Sequence, residues 1–195
     1  TSTQEIHDWV ASGSKDTRFI IDEAYFEYVD DPQYNSLIPL ALKKQNLLVA
    51  RTFSKVYALA GLRVGYAVAH PELSKRVSSL TRLNTNAMAL AAASASLADP
   101  DFVPQSIRSN RESKQIVTDT LRDLNLPYLP SHTNFVMHRL TGTIRDYIKR
   151  MEDQGILVGR PFPPFDNYCR ISLGLASEMK QYSAVMRQFR TKGWI

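Results

Sequence analysis

Short, wholly apolar runs between polar loops dominate the first third of the chain. Phe19-Ile20-Ile21 runs into the acidic pair Asp22-Glu23, the pattern of a buried strand that ends at its C-terminal edge. A second run covers residues 46–50 and a third covers 62–69. Asp30-Asp31-Pro32 marks a loop, and residues 37–44 have the length of a short helix. Strands that are apolar at successive positions lack the alternation of a one-sided sheet. They predict a mostly parallel sheet covered by helices on both sides.

From residue 71 the period lengthens. Pro71 suits the first turn of a helix reaching to about residue 83, and the alanine-rich stretch 86–97 reads as another. Over residues 102–124, Ile107, Ile116, Val117, Leu121 and Leu124 mark one face of a long helix, which bridges to a second domain. Beyond Pro127 and Pro130 come a strand at 134–137, a helix at 143–154 and a short strand at 156–158. A proline-rich loop at 160–166, a strand at 168–173 and a helix at 177–192 complete the chain, with Ser177 as that helix's cap. The expectation is an α/β part over 1–100 and a smaller α+β part over 101–195, with no internal repeat.

Composition narrows this reading. With 44% hydrophobic and 22% charged positions in 195 residues, disordered and low-complexity chains are excluded. A lone cysteine, Cys169, excludes an internal disulfide and a thiolate metal cluster. Its four histidines are scattered without ligand spacing, so no metal is expected. No apolar run approaches the ~18 residues of a membrane span, and the first residues lack the pattern of a secretory signal. A reduced, cytoplasmic protein without membrane contact is the expectation. The net charge of +5 comes from 24 Lys+Arg against 19 Asp+Glu. These charges are dispersed and lack aromatic interleaving, which suits small anions better than nucleic acid.

Three polar clusters fall at the ends of apolar strands, where open α/β sheets bind ligands. They are Asp22-Glu23-Ala24-Tyr25, Arg51-Thr52-Phe53-Ser54-Lys55 and Gly61-Leu62-Arg63-Val64-Gly65. Singly, each has a bland reading: a capping carboxylate, a solvated Ser-Lys loop, a glycine pair that packs backbone. Together they supply an anion, a phenol, hydroxyls, a primary amine and a guanidinium at one sheet edge. That set suits a cofactor with an aldehyde, a ring nitrogen and a phosphate, which is pyridoxal 5'-phosphate. Lys55 is the candidate Schiff-base amine, Asp22 the partner of the ring nitrogen, and Tyr25 the partner of the phenolic oxygen. Arg63, Thr52 and Ser54 are the candidate phosphate ligands.

The stretch FIIDEAYFEY followed by VARTFSKVYALAGLRVGYAVAHPEL resembles fold-type I, pyridoxal-phosphate-dependent aminotransferases of classes I and II, and among them the histidinol-phosphate aminotransferases. Leu83-Asn84-Thr85-Asn86, Ser131-His132-Thr133-Asn134-Phe135-Val136 and Cys169-Arg170-Ile171-Ser172-Leu173-Gly174 extend the resemblance over nearly the whole chain. It implies the latter part of a three-layer cofactor domain, then most of a small C-terminal domain. It implies the roles just given for Lys55, Asp22, Tyr25, Ser54 and Arg63, with Thr52 nearby. Arg170, which alone reads as a strand-end arginine in a surface ion pair, matches the arginine that binds the substrate's carboxylate or phosphate. Arg160 corresponds to a second anion-binding arginine, although the loop Pro161-Phe162-Pro163-Pro164-Phe165 departs from the usual pattern. The implied reaction moves an amino group between an amino acid or amino phosphate and a 2-oxo acid such as 2-oxoglutarate. The implied assembly is a homodimer, with the Asn84 region at its interface.

The family's glycine-containing phosphate segment, its ring-stacking aromatic residue and its Asn-Pro-x-x-Pro-Thr-Gly motif have no counterpart here. The expectation is a chain that alone binds the cofactor weakly or not at all. A decarboxylase or lyase of the same fold, and an inactive fragment or binding module, are the alternative readings.

Overall fold

The computed structural model describes residues 2–14, 16–80 and 85–195. The chain divides into two compact units, Thr1–Val103 and Pro104–Ile195. Helix α5 (Phe102–Asp123) begins at the boundary between them.

In the first unit, β1 (Phe19–Asp22), β2 (Leu47–Thr52) and β3 (Gly65–Val68) form a sheet in that order. β1 and β2 run parallel, with Ile20 opposite Leu48 and Asp22 opposite Ala50. β2 and β3 run antiparallel, with Thr52 opposite Gly65. The sheet is therefore mixed rather than mostly parallel. Residues 53–64 return the chain through one short 3-10 turn, Ala60–Leu62, and so short a link without a crossover helix permits only an antiparallel neighbour.

Phe19, Leu47 and Val49 point to one face and are buried with Val10 of α1 (Thr3–Ser12) and with Leu37 and Ala41, which lie just before and within α2 (Ile38–Ala41). Each such large side chain contributes about 1.5–3 kcal/mol on burial. On β1 the next residue, Ile20, points the other way and stays 70% exposed. Helical cover on both faces was expected from the apolar runs. Among the described residues, β1 buries Phe19 and leaves Ile20 open, because successive side chains of a strand face opposite sides.

Helix α1 had no expectation in the sequence. It is capped by Ser2, whose hydroxyl accepts from the Glu5 N–H, while the Glu5 carboxylate accepts from the Ser2 N–H. Helix α3 (Pro71–Leu80) buries no residue fully, with Leu73 and Val77 half-buried; its expected extension to residue 83 lies outside the described residues, as does Asn84. Helix α4 (Ala87–Ala98) is capped by Asn86, whose Oδ1 accepts from the Met88 N–H at 2.8 Å. Its Ala89 and Ala93 pack with Phe53 and Val64.

In the second unit, β4 (Phe135–Arg139) and β5 (Tyr168–Ser172) pair antiparallel, with His138 opposite Cys169 and Met137 opposite Arg170. Val136, His138, Cys169 and Ile171 face a core completed by three helices. These are α5 (through Val117 and Leu121), α6 (Ile144–Glu152, through Ile144, Tyr147 and Met151) and α7 (Ala176–Thr191, through Tyr182, Met186 and Phe189). Phe135, Met137 and Arg170 alternate onto the opposite face.

Two expectations fail here. Residues 156–158 form no strand; three apolar positions are too few to arbitrate, and Gly155 turns the chain at φ +74° just before them. Ser177 lies inside α7 rather than capping it: the N-cap is Leu175, whose N–H donates to Glu178 Oε2 at 2.7 Å.

One polar chain crosses this apolar core. Tyr147 Oη, Tyr182 Oη and His138 Nε2 follow one another at 3.0 and 2.8 Å, and His138 Nδ1 meets the Arg139 carbonyl at 3.2 Å. A neutral His138 satisfies every group: Nδ1–H donates to the carbonyl, Nε2 accepts from Tyr182, and Tyr182 accepts from Tyr147. Burial holds the imidazole neutral, lowering its pKa from 6.5 to about 4.

Candidate functional site

The C-terminal ends of β1 and β2 and the start of β3 share one edge of the first sheet, as the pairings Asp22–Ala50 and Thr52–Gly65 require. All six candidates of the first unit fall at this edge. Asp22 ends β1 with an exposed side chain, and its Oδ1 accepts from the Ala24 N–H at 2.9 Å. This Asx turn sends the chain off the strand towards Tyr25. Thr52 ends β2, and its Oγ1 accepts from the Ser54 N–H at 3.0 Å. Lys55 follows in a tight turn closed by an Ala58 N–H to Lys55 carbonyl bond of 2.9 Å.

The structure brings Lys55 and Tyr25 together. Lys55 Nζ lies 5.0 Å from the centroid of the Tyr25 ring, within cation–π range. Arg63 occupies the left-handed region at φ +53°, directly after the 3-10 turn, and its Nη1 donates to the Ala60 carbonyl at 2.8 Å. It is exposed, and its head turns back onto its own turn. Gly65 lets β3 approach β2 closely, since a Cβ there would stand 2.7 Å from the Arg51 carbonyl oxygen.

Sequence reading assigned no role to the clamp beneath these groups. Glu23 is 2% exposed and accepts from Arg51 Nε (3.0 Å), Arg51 Nη2 (2.8 Å), Ser36 Oγ (2.8 Å) and the Leu37 N–H (2.7 Å). Arg51 also meets Glu27 at 3.4 Å and stacks over Phe26 at 4.1 Å. Burial pulls the Arg51 guanidinium down, but the Glu23 hydrogen bonds and charge outweigh it and hold it above its ordinary value. Burial raises the Glu27 carboxyl, with Arg51 opposing. Glu23 and Phe26 flank Tyr25, so the clamp ties the segment carrying Tyr25 to β2, whose continuation carries Lys55. An arginine within an otherwise apolar strand was the available signal; its partners lie 24 and 28 residues away and could not be read from it.

The second unit holds the other two candidates. Arg170 lies over the Phe135 ring at 5.1 Å and over the Phe162 ring at 4.9 Å. Its Nε is buried without a hydrogen-bond partner, and among the described residues Arg170 forms no surface ion pair. Arg160 stacks on the same Phe162 ring at 4.5 Å. Cys169, beside Arg170 in sequence, faces the core, and burial pushes its thiol up to about 12.

An α/β unit with an amine, a phenol, a carboxylate, hydroxyls and a guanidinium at one strand edge has the donor set of a domain for a phosphorylated, aldehyde-bearing cofactor. The model of the family described as aminotransferase class I and II matches residues 4–185, and the chain belongs to that family. Its sequence is 35% identical to the histidinol-phosphate aminotransferase of Brevibacillus brevis, over 97% of this chain and 53% of that one. Among solved structures, a protein of Erwinia carotovora atroseptica with a provisional histidinol-phosphate aminotransferase name superposes with a TM-score of 0.96 at 46% identity, covering 100% of this chain and 57% of that one. The histidinol-phosphate aminotransferase of Sinorhizobium meliloti, solved with pyridoxal-5'-phosphate, gives 0.87 at 29% identity, over 97% and 54%. The chain spans about half the length of the curated relatives it matches. The family is one of pyridoxal-phosphate-dependent transaminases, and pyridoxal 5'-phosphate is the cofactor these relationships indicate. The groups at the sheet edge fit it chemically: a carboxylate for a cationic ring nitrogen, a phenol for a phenolate, an amine for an aldehyde, and a guanidinium with hydroxyls for a phosphate.

Proposed function

We propose that this chain carries the amine-exchange machinery of a pyridoxal-phosphate-dependent aminotransferase, with Lys55 as the residue that bonds to the cofactor's aldehyde. The observation that carries the reading is the placement of Lys55 Nζ 5.0 Å from the Tyr25 ring. Residues 1–100 act as the latter part of the cofactor domain and residues 101–195 as the small domain.

When bound, pyridoxal 5'-phosphate supplies an electron sink that makes the Cα–H of an amino substrate acidic. Asp22 keeps a proton on the ring nitrogen. Tyr25 donates to the phenolic oxygen. Ser54 and Arg63, with Thr52 nearby, hold the phosphate through charge-assisted hydrogen bonds. The Lys55 amine would take the proton from the substrate's Cα as general base and deliver it, as general acid, to the cofactor's C4′. Arg170, with Arg160, binds the substrate's anionic group. The amino donor is histidinol phosphate or a related amino acid or amine, and the acceptor is a 2-oxo acid such as 2-oxoglutarate. A cytoplasmic homodimer is part of this reading.

The test supplies the chain with pyridoxal 5'-phosphate, histidinol phosphate and 2-oxoglutarate and measures glutamate. The reading expects glutamate formation that disappears in Lys55→Ala. With an amino-acid phosphate, which carries a carboxylate on Cα, in place of histidinol phosphate, carbon dioxide released without glutamate favours a decarboxylase of the same fold. Equal glutamate from the wild type and Lys55→Ala removes Lys55 from the reaction.

A further inference from the structure

The guanidinium of Arg170 is held in an unusual way. Among the described residues no side-chain hydrogen bond or ion pair anchors it, and its Nε is buried unpaired. What it touches is aromatic: Phe135, its neighbour on the outer face of the β4–β5 ribbon, and Phe162, from the loop before β5. An unpaired buried N–H is costly, so something must hold the side chain where it is. The loop is built to do this. Gly159 N–H donates to the Arg170 carbonyl at 3.1 Å, and a Cβ at Gly159 would stand 2.3 Å from that oxygen. Only glycine lets the root of the loop lie so close against β5. Pro161, Pro163 and Pro164 restrict the backbone on either side of Phe162. A turn closes behind it, with the Phe165 N–H donating to the Phe162 carbonyl at 2.7 Å.

We propose that Phe162 is a positioning residue for Arg170. Its ring, fixed by the Gly159-rooted proline loop, holds the guanidinium through a cation–π contact and keeps its Nη atoms uncommitted for the oxyanion of a substrate. Arg160 shares the same ring, so a second positive charge stands beside the site without competing for its hydrogen bonds. An anion arriving at Arg170 displaces no ion pair with any described residue. It meets a guanidinium whose remaining freedom is to move off two rings, and Phe162 removes much of that freedom before binding. The ligand class is a small carboxylate or phosphate bound by the terminal nitrogens. This rests on the reading of Arg170 as the substrate-anion residue and names the group that orients it.

The experiment titrates the ¹⁵N-labelled chain with 2-oxoglutarate, and separately with inorganic phosphate, following arginine side-chain N–H signals. Arg170→Gln identifies the Arg170 signal and sets the background. Loss of the ring in Phe162→Leu keeps apolar bulk and is expected to weaken binding roughly five- to thirtyfold. Phe162→Tyr keeps the ring and is expected to stay within about twofold. Circular dichroism checks that both variants fold. If Arg170→Gln loses the probe while Phe162→Leu binds it as the wild type does, Phe162 only fills space and the proposal is overturned. If the wild type and Arg170→Gln respond alike to both probes, the reading of Arg170 itself fails, and this proposal with it. The comparison of the two probes decides which oxyanion the site prefers.

Discussion

Acidification strikes the second unit at a single buried ring. His138 is fully buried, accepts from Tyr182 through Nε2, and has its pKa lowered by burial from 6.5 to about 4. Protonation makes Nε2 a donor and forces Tyr182 to reverse its hydroxyl, in a core that disfavours the charge. A histidine harder to protonate when folded stabilises the fold fully above its unfolded pKa. That contribution drains away as pH falls from about 6.5 to about 4, because the unfolded chain takes up the proton first. At ~1.4 kcal/mol per pH unit, the gap between 6.5 and about 4 corresponds to about 3 kcal/mol. The assay is urea unfolding followed by Trp194, which packs on Phe189 in the same core, in a Trp9→Phe background. Free energies measured at pH 7.5, 6, 5 and 4 are compared with those of His138→Gln, which cannot titrate. The parent should lose about 3 kcal/mol more than the variant across that range. Parallel pH profiles would refute the reasoning, since the imidazole would then be as easily protonated folded as unfolded.

Two other outcomes follow from buried groups. Glu23→Ala leaves Arg51 and the Leu37 N–H without their main partner, so it should destabilise the first unit by about 3 kcal/mol in urea unfolding, with Glu23→Gln costing roughly half; a change below about 1 kcal/mol would contradict the clamp. Cys169, with its thiol pushed up to about 12, should resist a thiol reagent such as Ellman's at pH 8 in the native chain and react fully once the chain is unfolded, whereas rapid native labelling would place it at the surface.

What could be read in advance followed local rules. Apolar runs located β1 and β2, and the helical period located α4 to α6, because each depends on residues close in sequence. Helix α1 was missed although Ser2 and Glu5 spell its capping box; only Val10 of the helix is buried, so its apolar signal is faint. Ile20 stays open among the described residues, since an apolar side chain need not be covered. At the site, the order Asp22, Tyr25, Lys55, Arg63 was visible as a resemblance, and the structure adds the contact of Tyr25 with Lys55. The Glu23–Arg51 clamp and the Phe162–Arg170 contact were not visible, since both depend on which segments meet in space. The proline loop stood out in sequence only as a departure from pattern; its ring against Arg170 gives that departure a physical content.

The account turns on Lys55 being the amine that meets the cofactor. Its most direct test is to incubate the chain with pyridoxal 5'-phosphate, reduce with borohydride, digest, and locate the pyridoxyl group by mass spectrometry. The account predicts a dominant adduct on the peptide carrying Lys55, lost in Lys55→Arg without transfer to another lysine. A dominant adduct on any other lysine, or labelling spread evenly over the surface lysines, would contradict it.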